Sequence, residues 1–236
     1  MIITHAMVLA AGLGTRLRPL TERRPKPLIE VAGRSLIDRA LDHLAAGGIT
    51  RAVVNGHYRA DQLRAHLAAR DGAPEIVWSD ESAALLDTGG GVAKVLDKLG
   101  NGPFVVVNSD VIWLDGTRKM LARLAEQWDD GAMDALLLLV PTVGALGYEG
   151  RGDFLLSPDG MVARRPEHEV SPFLYGGVQL VHPRLFADCP KGAFSINLLW
   201  DRAIAAGRLY GLRHDGLWMH VGTPEGVQQA EEALRL

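Results

Sequence analysis

Residues 9–17 read Leu-Ala-Ala-Gly-Leu-Gly-Thr-Arg-Leu, and this stretch begins within the end of a short apolar run at residues 6–10. The apolar run predicts a buried strand that ends in a glycine loop. Gly12 and Gly14 allow the backbone to turn sharply and to present N–H groups to the oxygens of a phosphate. Thr15 adds a hydroxyl donor, and Arg16 adds a planar cation suited to phosphate. The stretch therefore predicts a strand followed by a phosphate-binding loop, with a plain tight turn as the alternative.

Two well-known phosphate loops do not fit this stretch. The dinucleotide-binding fingerprint requires a third glycine where Leu17 stands, and the P-loop requires a Gly-Lys-Ser/Thr sequence that is missing here. The continuation supports phosphate binding in another way. Residues 25–28, Pro-Lys-Pro-Leu, place a second cation, Lys26, between two prolines that restrict the backbone. A solvated surface lysine is the alternative for Lys26.

The order of apolar and amphipathic segments predicts an α/β fold with a Rossmann-like, mostly parallel sheet and helices on both faces. Strands and helices alternate in the N-terminal half, whereas the pattern changes after about residue 141. We expect one domain over residues 1–236, with halves of about 1–140 and 141–236. The predicted strands are 6–10, 51–55, 75–78, 104–108, 135–140, 153–156, 161–164 and 174–181, and the predicted helices are 35–47, 60–69, 91–99, 117–128, 196–206 and 224–234.

Ligands of such sheets bind at the carboxyl ends of the strands. Residues 104–110, Phe-Val-Val-Val-Asn-Ser-Asp, place Asp110 just beyond a buried strand, where its carboxylate is suited to hold Mg²⁺ against phosphates. A turn or a cap is the alternative for Asp110. Residues 86–91, Leu-Asp-Thr-Gly-Gly-Gly, precede a predicted helix that Thr88 is expected to cap. Their glycines would let a flat ligand lie against the backbone, and a simple capped turn is the alternative.

Composition excludes several classes of protein. The chain has 236 residues, a net charge of -3 and a single cysteine, Cys189. This charge gives no electrostatic footprint for nucleic acid or for an anionic membrane. Without a second cysteine an internal disulfide is not possible, and the first residues do not resemble a signal peptide. We therefore expect a cytoplasmic protein without a nucleic-acid or membrane partner.

Residues 9–21 together with residues 25–28 resemble the signature of the sugar-1-phosphate nucleotidyltransferases. This resemblance implies that the chain joins a nucleoside triphosphate to a sugar 1-phosphate and releases pyrophosphate. It implies that Arg16 and Lys26 are catalytic residues that contact the phosphates, and that Asp110 is a catalytic residue that binds Mg²⁺, for which Mn²⁺ can substitute. The nucleotide-binding candidates of the N-terminal half are Leu9, Ala11, Gly12, Gly14, Thr15, Arg16, Lys26, Gly89 and Asn108.

The C-terminal half resembles the side of these enzymes that binds the acceptor. Its candidates are Asp153, Gly177 and Arg165, which stands where many members carry the lysine of Glu-Lys-Pro; a surface cation is the alternative for Arg165. Residues 88–91 and 150–154 resemble the N-acetylmuramate-1-phosphate uridylyltransferases of cell-wall recycling.

One departure from the family pattern concerns the metal. The family carries Trp-x-Asp-x-Gly-Thr near the C-terminus, and its Asp is the second magnesium ligand. Here His220 stands at that position. His220 is therefore a candidate second ligand, and a hydrogen bond from His220 to phosphate or ribose is the alternative.

The resemblance leaves the substrates open. UTP with N-acetylmuramate 1-phosphate is the expected pair. The alternatives are a mannose-1-phosphate guanylyltransferase, a glucose-1-phosphate thymidylyltransferase, and a weakly active regulatory protein that binds a nucleotide sugar. Because a sugar phosphate oxygen is already anionic near neutral pH, the reaction requires positioning and charge neutralisation rather than a general base.

Overall fold

A computed structural model describes residues 1–235; the last residue of the predicted domain, residue 236, lies outside them. Its helices are α1 (Leu36–Ala46), α2 (Ala60–Ala68), α3 (Asp87–Ala93), α4 (Met120–Gln127), α5 (Asn197–Ala205) and α6 (Pro224–Ala233). Its strands are β1 (His5–Leu9), β2 (Glu30–Val31), β3 (Arg34–Ser35), β4 (Arg51–Gly56), β5 (Glu75–Asp80), β6 (Phe104–Asn108), β7 (Val111–Trp113), β8 (Ala135–Pro141), β9 (Ala145–Leu146), β10 (Phe154–Leu156), β11 (Val162–Arg164), β12 (Phe173–Val181), β13 (Leu209–Arg213) and β14 (Trp218–His220).

The main sheet has nine strands, and its core is the parallel set β6-β1-β4-β5. Strand β12 runs antiparallel to β6, β8 and β10, and β11 runs antiparallel to β10. Strand β13 is parallel to β8. The strands other than β11 and β12 therefore share one direction, which confirms the predicted mostly parallel sheet. Because β12 pairs with β6, strands from both sides of residue 140 belong to the same sheet.

Helices cover both faces of this sheet. Alternate residues of β1 enter different cores: Ala6 and Val8 pack with residues of α1 and α2, whereas Met7 packs with residues of α3 and α5. A strand whose two faces are both buried is apolar throughout rather than alternating, which is why residues 6–10 form a continuous apolar run. The layering therefore follows from the apolar strands and the amphipathic helices between them.

Helix α1 begins as predicted, because the Ser35 hydroxyl accepts a hydrogen bond from the Asp38 N–H. The prediction for Thr88 is wrong. Helix α3 begins at Asp87, so Thr88 lies within its first turn, and its hydroxyl accepts a hydrogen bond at 3.0 Å from the N–H of Ile196. Thr88 therefore connects α3 to the segment before α5 instead of capping a helix.

A second, three-stranded sheet has the order β7-β14-β9. None of its strands was predicted, because β7 and β14 have three residues each and β9 has two. Strand β14 pairs with β7, so that His220 lies opposite Val111, one residue after Asp110. This pairing places the C-terminal part of the chain beside the end of β6. Within residues 1–235 no helix is both long enough and apolar enough to span a membrane.

Candidate active site

A cavity of about 530 Å³, called here the first cavity, lies at the carboxyl ends of β1, β4, β5 and β6. Parallel sheets place ligand sites at this edge. The predicted nucleotide-binding residues other than Gly89 line it. Its walls are formed by residues 9–16, Lys26, Pro27, Asn55, Glu81, Leu85, Asp87, Thr88, Asn108, Ser109, Asp110 and Gly222.

The loop after β1 is held in a fixed turn. Gly14 has a φ of 65°, a left-handed conformation that favours glycine, and an added Cβ would lie 3.0 Å from Thr21. The Thr21 hydroxyl donates a hydrogen bond at 2.8 Å to the carbonyl of Gly14. Arg16 is exposed and lines the first cavity. The loop is therefore preorganised, and the Arg16 cation borders the cavity.

Lys26 and Asp110 line the first cavity, and His220, which does not line it, lies beside Asp110. The Lys26 Nζ lies 2.8 Å from the Asp110 Oδ2, and the His220 Nε2 lies 3.6 Å from the same oxygen. Burial alone would raise the pKa of the Asp110 carboxyl, but the hydrogen bonding and charge of His220 and Lys26 outweigh it and hold that pKa well below its ordinary value. Asp110 is therefore ionised at neutral pH. No partner for Lys26 is evident from the sequence, and the structure pairs it with Asp110.

Several contacts fix the position of His220. The N–H of Val221 donates a hydrogen bond at 2.9 Å to the carbonyl of Asp110. The ring of Trp218 is stacked with the His220 ring at a centroid distance of 6.2 Å. A Cβ on Gly222 would come within 2.5 Å of the imidazole, so a larger residue there would displace the ring. The imidazole is thus held against Asp110 by neighbours from the segment around β14.

The donor set at this point fits a divalent cation that is also held by substrate phosphates. Asp110 uses Oδ2 to contact Lys26 and His220, and its Oδ1 accepts no hydrogen bond from residues 1–235. Mg²⁺ is commonly bound by one or two carboxylates plus phosphate oxygens and water. No cluster of three or more His, Cys, Asp or Glu side chains suited to a metal occurs in the described part of the chain. A cation here therefore depends on the substrate for most of its ligands.

A second cavity of about 360 Å³ adjoins the first. The two cavities share Leu9, Asp87, Thr88 and Asn108. The predicted acceptor residue Asp153 lines the second cavity, and its Oδ2 accepts a hydrogen bond at 2.9 Å from the N–H of Tyr175. The other lining residues are Phe154, Arg164, Tyr175, Gln179, Ser195, Ile196, Asn197 and Trp200.

Besides His220, which contacts Asp110 but lines neither cavity, three predicted site residues lie outside both cavities. The Arg165 guanidinium donates hydrogen bonds to the carbonyls of Gly152, Pro166 and Glu169, and the neighbouring Arg164 lines the second cavity instead. Gly89 packs on Phe194, whose carbonyl accepts a hydrogen bond from the Gly89 N–H. Gly177 has a φ of 75° and lies where the pairing of β12 with β8 is irregular. Their local contacts are with the protein backbone or with apolar neighbours.

Sequence reasoning missed a buried polar network in the wall of the first cavity. Asn55 and Glu81 are 2% and 1% exposed. The Asn55 Oδ1 accepts a hydrogen bond at 2.7 Å from the N–H of Ala10, and its Nδ2 donates one at 2.7 Å to the Glu81 Oε1. A signal was present, because Asn55 lies near the end of a predicted strand and Glu81 lies shortly after another, at the edge where ligands bind.

Comparisons with known proteins show the family of the chain. The family model described as "Nucleotidyl transferase" matches residues 5–148. The chain is 48% identical to the N-acetylmuramate alpha-1-phosphate uridylyltransferase of Caulobacter vibrioides, covering 97% of this chain and 96% of the relative. It is 36% identical to the protein of the same description in Neisseria meningitidis serogroup B, covering 96% of each.

Among solved structures, HddC from Yersinia pseudotuberculosis has a TM-score of 0.79 with 21% identity, covering 98% of this chain and 100% of HddC. This likeness supports the α/β fold. The family match and the two relatives confirm the resemblance that residues 9–28 predict. The chain is therefore an enzyme that belongs to the nucleotidyl transferase family, whose members bind nucleotides and sugar phosphates.

Proposed function

We propose that this enzyme transfers the uridylyl group of UTP to N-acetylmuramate 1-phosphate, which gives UDP-N-acetylmuramate and pyrophosphate. The names of the relatives from Caulobacter vibrioides and Neisseria meningitidis support this pair of substrates. In this proposal the first cavity binds the nucleotide and the second binds the sugar. Both halves of the chain then act as one unit, since the second cavity is lined by residues 9, 87, 88 and 108 of the N-terminal half and by residues between 153 and 200 of the C-terminal half.

One observation carries the proposal. The Lys26–Asp110 ion pair lies in the wall of the first cavity, and that cavity continues into the second through Leu9, Asp87, Thr88 and Asn108. A triphosphate beside Lys26 and a sugar phosphate entering from the second cavity would meet at these shared residues. Such proximity and alignment supply much of the rate enhancement in phosphoryl and nucleotidyl transfer.

The chemistry requires no side chain that removes a proton. A phosphate oxygen of the sugar 1-phosphate attacks the α-phosphorus of UTP, the bond between that phosphorus and the β-phosphate oxygen breaks, and pyrophosphate leaves with the bonding electrons. In this mechanism Arg16 and Lys26 neutralise the charge that grows on the phosphates, and the N–H groups of the loop after β1 orient them.

The family generally uses a divalent metal ion, and we propose Mg²⁺ here. Asp110 would hold the ion together with phosphate oxygens, and His220 would contact it or its water. A cation at this point supplies charge neutralisation to the phosphates. Imidazole suits softer ions such as Mn²⁺ better than it suits Mg²⁺, so Mn²⁺ is expected to substitute.

The test is a pyrophosphate-release assay with ATP, GTP, CTP, UTP and dTTP, each against N-acetylmuramate, N-acetylglucosamine, mannose and glucose 1-phosphates. The expected result is a preference for UTP with N-acetylmuramate 1-phosphate. A preference for GTP with mannose 1-phosphate, or for dTTP with glucose 1-phosphate, would refute the proposed substrates. Tight binding of a nucleotide sugar without turnover would indicate a regulatory protein instead.

A further inference from the structure

The second cavity contains an asymmetry of charge. Among its lining residues, all of which lie in the described part of the chain, Arg164 carries the one cationic side chain, and Asp87 and Asp153 carry the two carboxylates. An anionic group that enters a cavity lined by two carboxylates is repelled unless a cation is placed to receive it. Any anionic substituent on the sugar would therefore depend on Arg164.

The Arg164 guanidinium is held in one orientation by both polar and aromatic contacts. Its Nε lies 2.7 Å from the Asp201 Oδ1, and its Nη2 donates a hydrogen bond at 2.9 Å to the Asn197 Oδ1. Its central carbon lies 4.8 Å from the centre of the Phe154 ring and 5.8 Å from that of Trp200. Cation–π contacts of this kind fix the plane of a guanidinium without using its N–H groups.

These contacts leave one part of the guanidinium available. Nε and Nη2 form one edge of the group, and Asp201 and Asn197 occupy that edge. Nη1 donates no hydrogen bond to residues 1–235. A cation whose orientation is already fixed loses little conformational entropy when it binds an anion, so it discriminates well between ligands that carry the anion and those that do not.

The same cavity contains a second polar group without a hydrogen-bond partner among the described residues. The Tyr175 hydroxyl is buried, and it makes no hydrogen bond with the described residues. Burial raises the pKa of this hydroxyl, which therefore stays protonated and able to donate. A buried polar atom without a partner is costly, which favours a ligand that brings polar atoms to this cavity.

We propose that Arg164 determines specificity by binding the carboxylate of the acceptor sugar. This inference rests on the proposed function. N-acetylmuramate differs from N-acetylglucosamine by a lactyl ether that carries a carboxylate, whereas the two 1-phosphates share the remaining groups. The Nη1 of Arg164 receives that carboxylate, so the enzyme selects the acidic sugar over its neutral counterpart. Arg164 touches the substrate far from the reacting phosphorus and takes no part in bond breaking.

The test compares Arg164→Gln with Arg165→Gln, an adjacent arginine whose guanidinium is bound to backbone carbonyls. For each variant, kcat/KM is measured with N-acetylmuramate 1-phosphate and with N-acetylglucosamine 1-phosphate. Arg164→Gln should lower the value for the acidic sugar about thirtyfold, because a hydrogen bond to a charged group is lost, and should leave the neutral sugar nearly unchanged. Arg165→Gln should leave the ratio of the two values unchanged.

Calorimetric binding of UDP-N-acetylmuramate and UDP-N-acetylglucosamine to the same variants gives a readout that does not depend on turnover. Equal losses for both sugars, or no change in either, would overturn the role of Arg164 in recognition. If Arg164→Gln fails to fold, Arg164→Lys keeps a cation over Phe154 but lacks the planar fork, and it should still lower the ratio about tenfold; an unchanged ratio in that variant overturns the proposal. A wild-type enzyme inactive with both sugars would refute the proposed function instead.

Discussion

The first cavity takes eight of its lining residues from one continuous segment, 9–16, whereas the second takes its lining from short pieces spread between residues 9 and 200. The backbone of one loop therefore forms much of the first cavity, and its shape depends on local turn geometry. The second cavity exists only after β10, β11, β12 and α5 have packed together. A substitution in the second cavity is thus expected to act through packing as well as through contact with a ligand.

The two cavities also place charge differently. In the first, Lys26 and Asp110 form an ion pair at 2.8 Å and Arg16 lies exposed on the loop. In the second, the Arg164 cation lies over aromatic rings. We infer that the first cavity carries the chemical step and that the second selects the acceptor. Substitutions of residues that line only the first should lower turnover with every sugar, whereas substitutions of residues that line only the second should change acceptor binding and leave the binding of the nucleotide unchanged.

The largest effect is expected from Asp110→Asn. This change removes the carboxylate that pairs with Lys26 and that is proposed to hold the cation. We expect kcat/KM to fall about a thousandfold with any metal and with every acceptor, at the upper end of the effect of losing one preorganised electrostatic contact. Asp97→Asn makes the same change at an exposed position and should have no effect. An Asp110→Asn enzyme that retains a tenth of wild-type turnover would contradict this role.

Sequence reasoning predicted the lining of a cavity best where that lining is continuous in the chain. Asp110 was predicted because it follows a strongly apolar strand, and the loop at residues 9–16 because its glycines follow another. Asn55 and Glu81 could have been found by the same rule, since strands β4 and β5 end at the same edge.

The second cavity could not be derived in this way. Arg164 and Arg165 are adjacent, and in an extended chain neighbouring side chains point to opposite sides. The family pattern Glu-Lys-Pro favours Arg165 as the cation that binds the acceptor. In the structure, Arg164, the last residue of β11, lines the second cavity instead. Thr88 was expected to cap a helix, yet its partner is Ile196, more than a hundred residues away in sequence. Contacts of this range are fixed by tertiary packing, which no local pattern contains.

The next effect concerns the two cations of the first cavity. Arg16→Ala should lower kcat/KM about a hundredfold, because it removes a preorganised charge beside the phosphates. Because Arg16 has no ion-pair partner within residues 1–235, the melting temperature should stay unchanged. Arg18→Ala removes an exposed arginine of the same segment that does not line the cavity, and it serves as the control. If Arg16→Ala and Arg18→Ala retain the same kcat/KM, Arg16 does not contact the triphosphate.

Lys26→Ala should differ from Arg16→Ala in its effect on stability. It should lower kcat/KM by a similar factor, but it also leaves the partly buried Asp110 carboxylate without its cation. The free energy of unfolding should therefore decrease as well. Urea unfolding of the two variants checks this contrast, and equal stability in both would show that the Lys26–Asp110 pair contributes nothing to the fold.

A smaller effect is expected at the metal site. His220→Asp supplies a second carboxylate beside Asp110, and a hard oxygen ligand favours Mg²⁺. The Mg²⁺ concentration for half-maximal rate should fall about tenfold, and any advantage of Mn²⁺ over Mg²⁺ should shrink. His168→Asp makes the same substitution at an exposed position and controls for the change in charge. A His220→Asp enzyme that needs as much Mg²⁺ as wild type would show that His220 does not stand in for a metal ligand.

In the second cavity, Trp200→Phe should change acceptor binding only a few-fold. The indole Nε1 of Trp200 donates a hydrogen bond at 3.0 Å to the buried Gln179 Oε1. Phenylalanine leaves that oxygen without a donor, and the desolvation penalty of the unsatisfied oxygen is about 1–3 kcal/mol. KM for the sugar phosphate should rise and KM for the nucleotide should not. Trp128→Phe removes a comparable indole outside both cavities and is the control. A rise in both KM values after Trp200→Phe would contradict the proposed division of roles between the two cavities.

The smallest effect lies outside both cavities and concerns stability in acid. Burial lowers the pKa of His43 and of His214 below the ordinary value of 6.5. As the pH falls through 6.5, the unfolded chain takes up protons that the folded chain excludes, so the free energy of unfolding decreases towards pH 5. The low pKa of Asp110 keeps its ion pair with Lys26 charged over the same range, so this loss of stability comes from the histidines and not from the first cavity.

His214→Gln cannot take up this proton and should flatten the dependence of the free energy of unfolding on pH, whereas His168→Gln, at an exposed position, should not. Urea unfolding midpoints between pH 5 and 8 measure the slopes, and identical slopes for wild type and His214→Gln would show that this histidine does not govern acid stability.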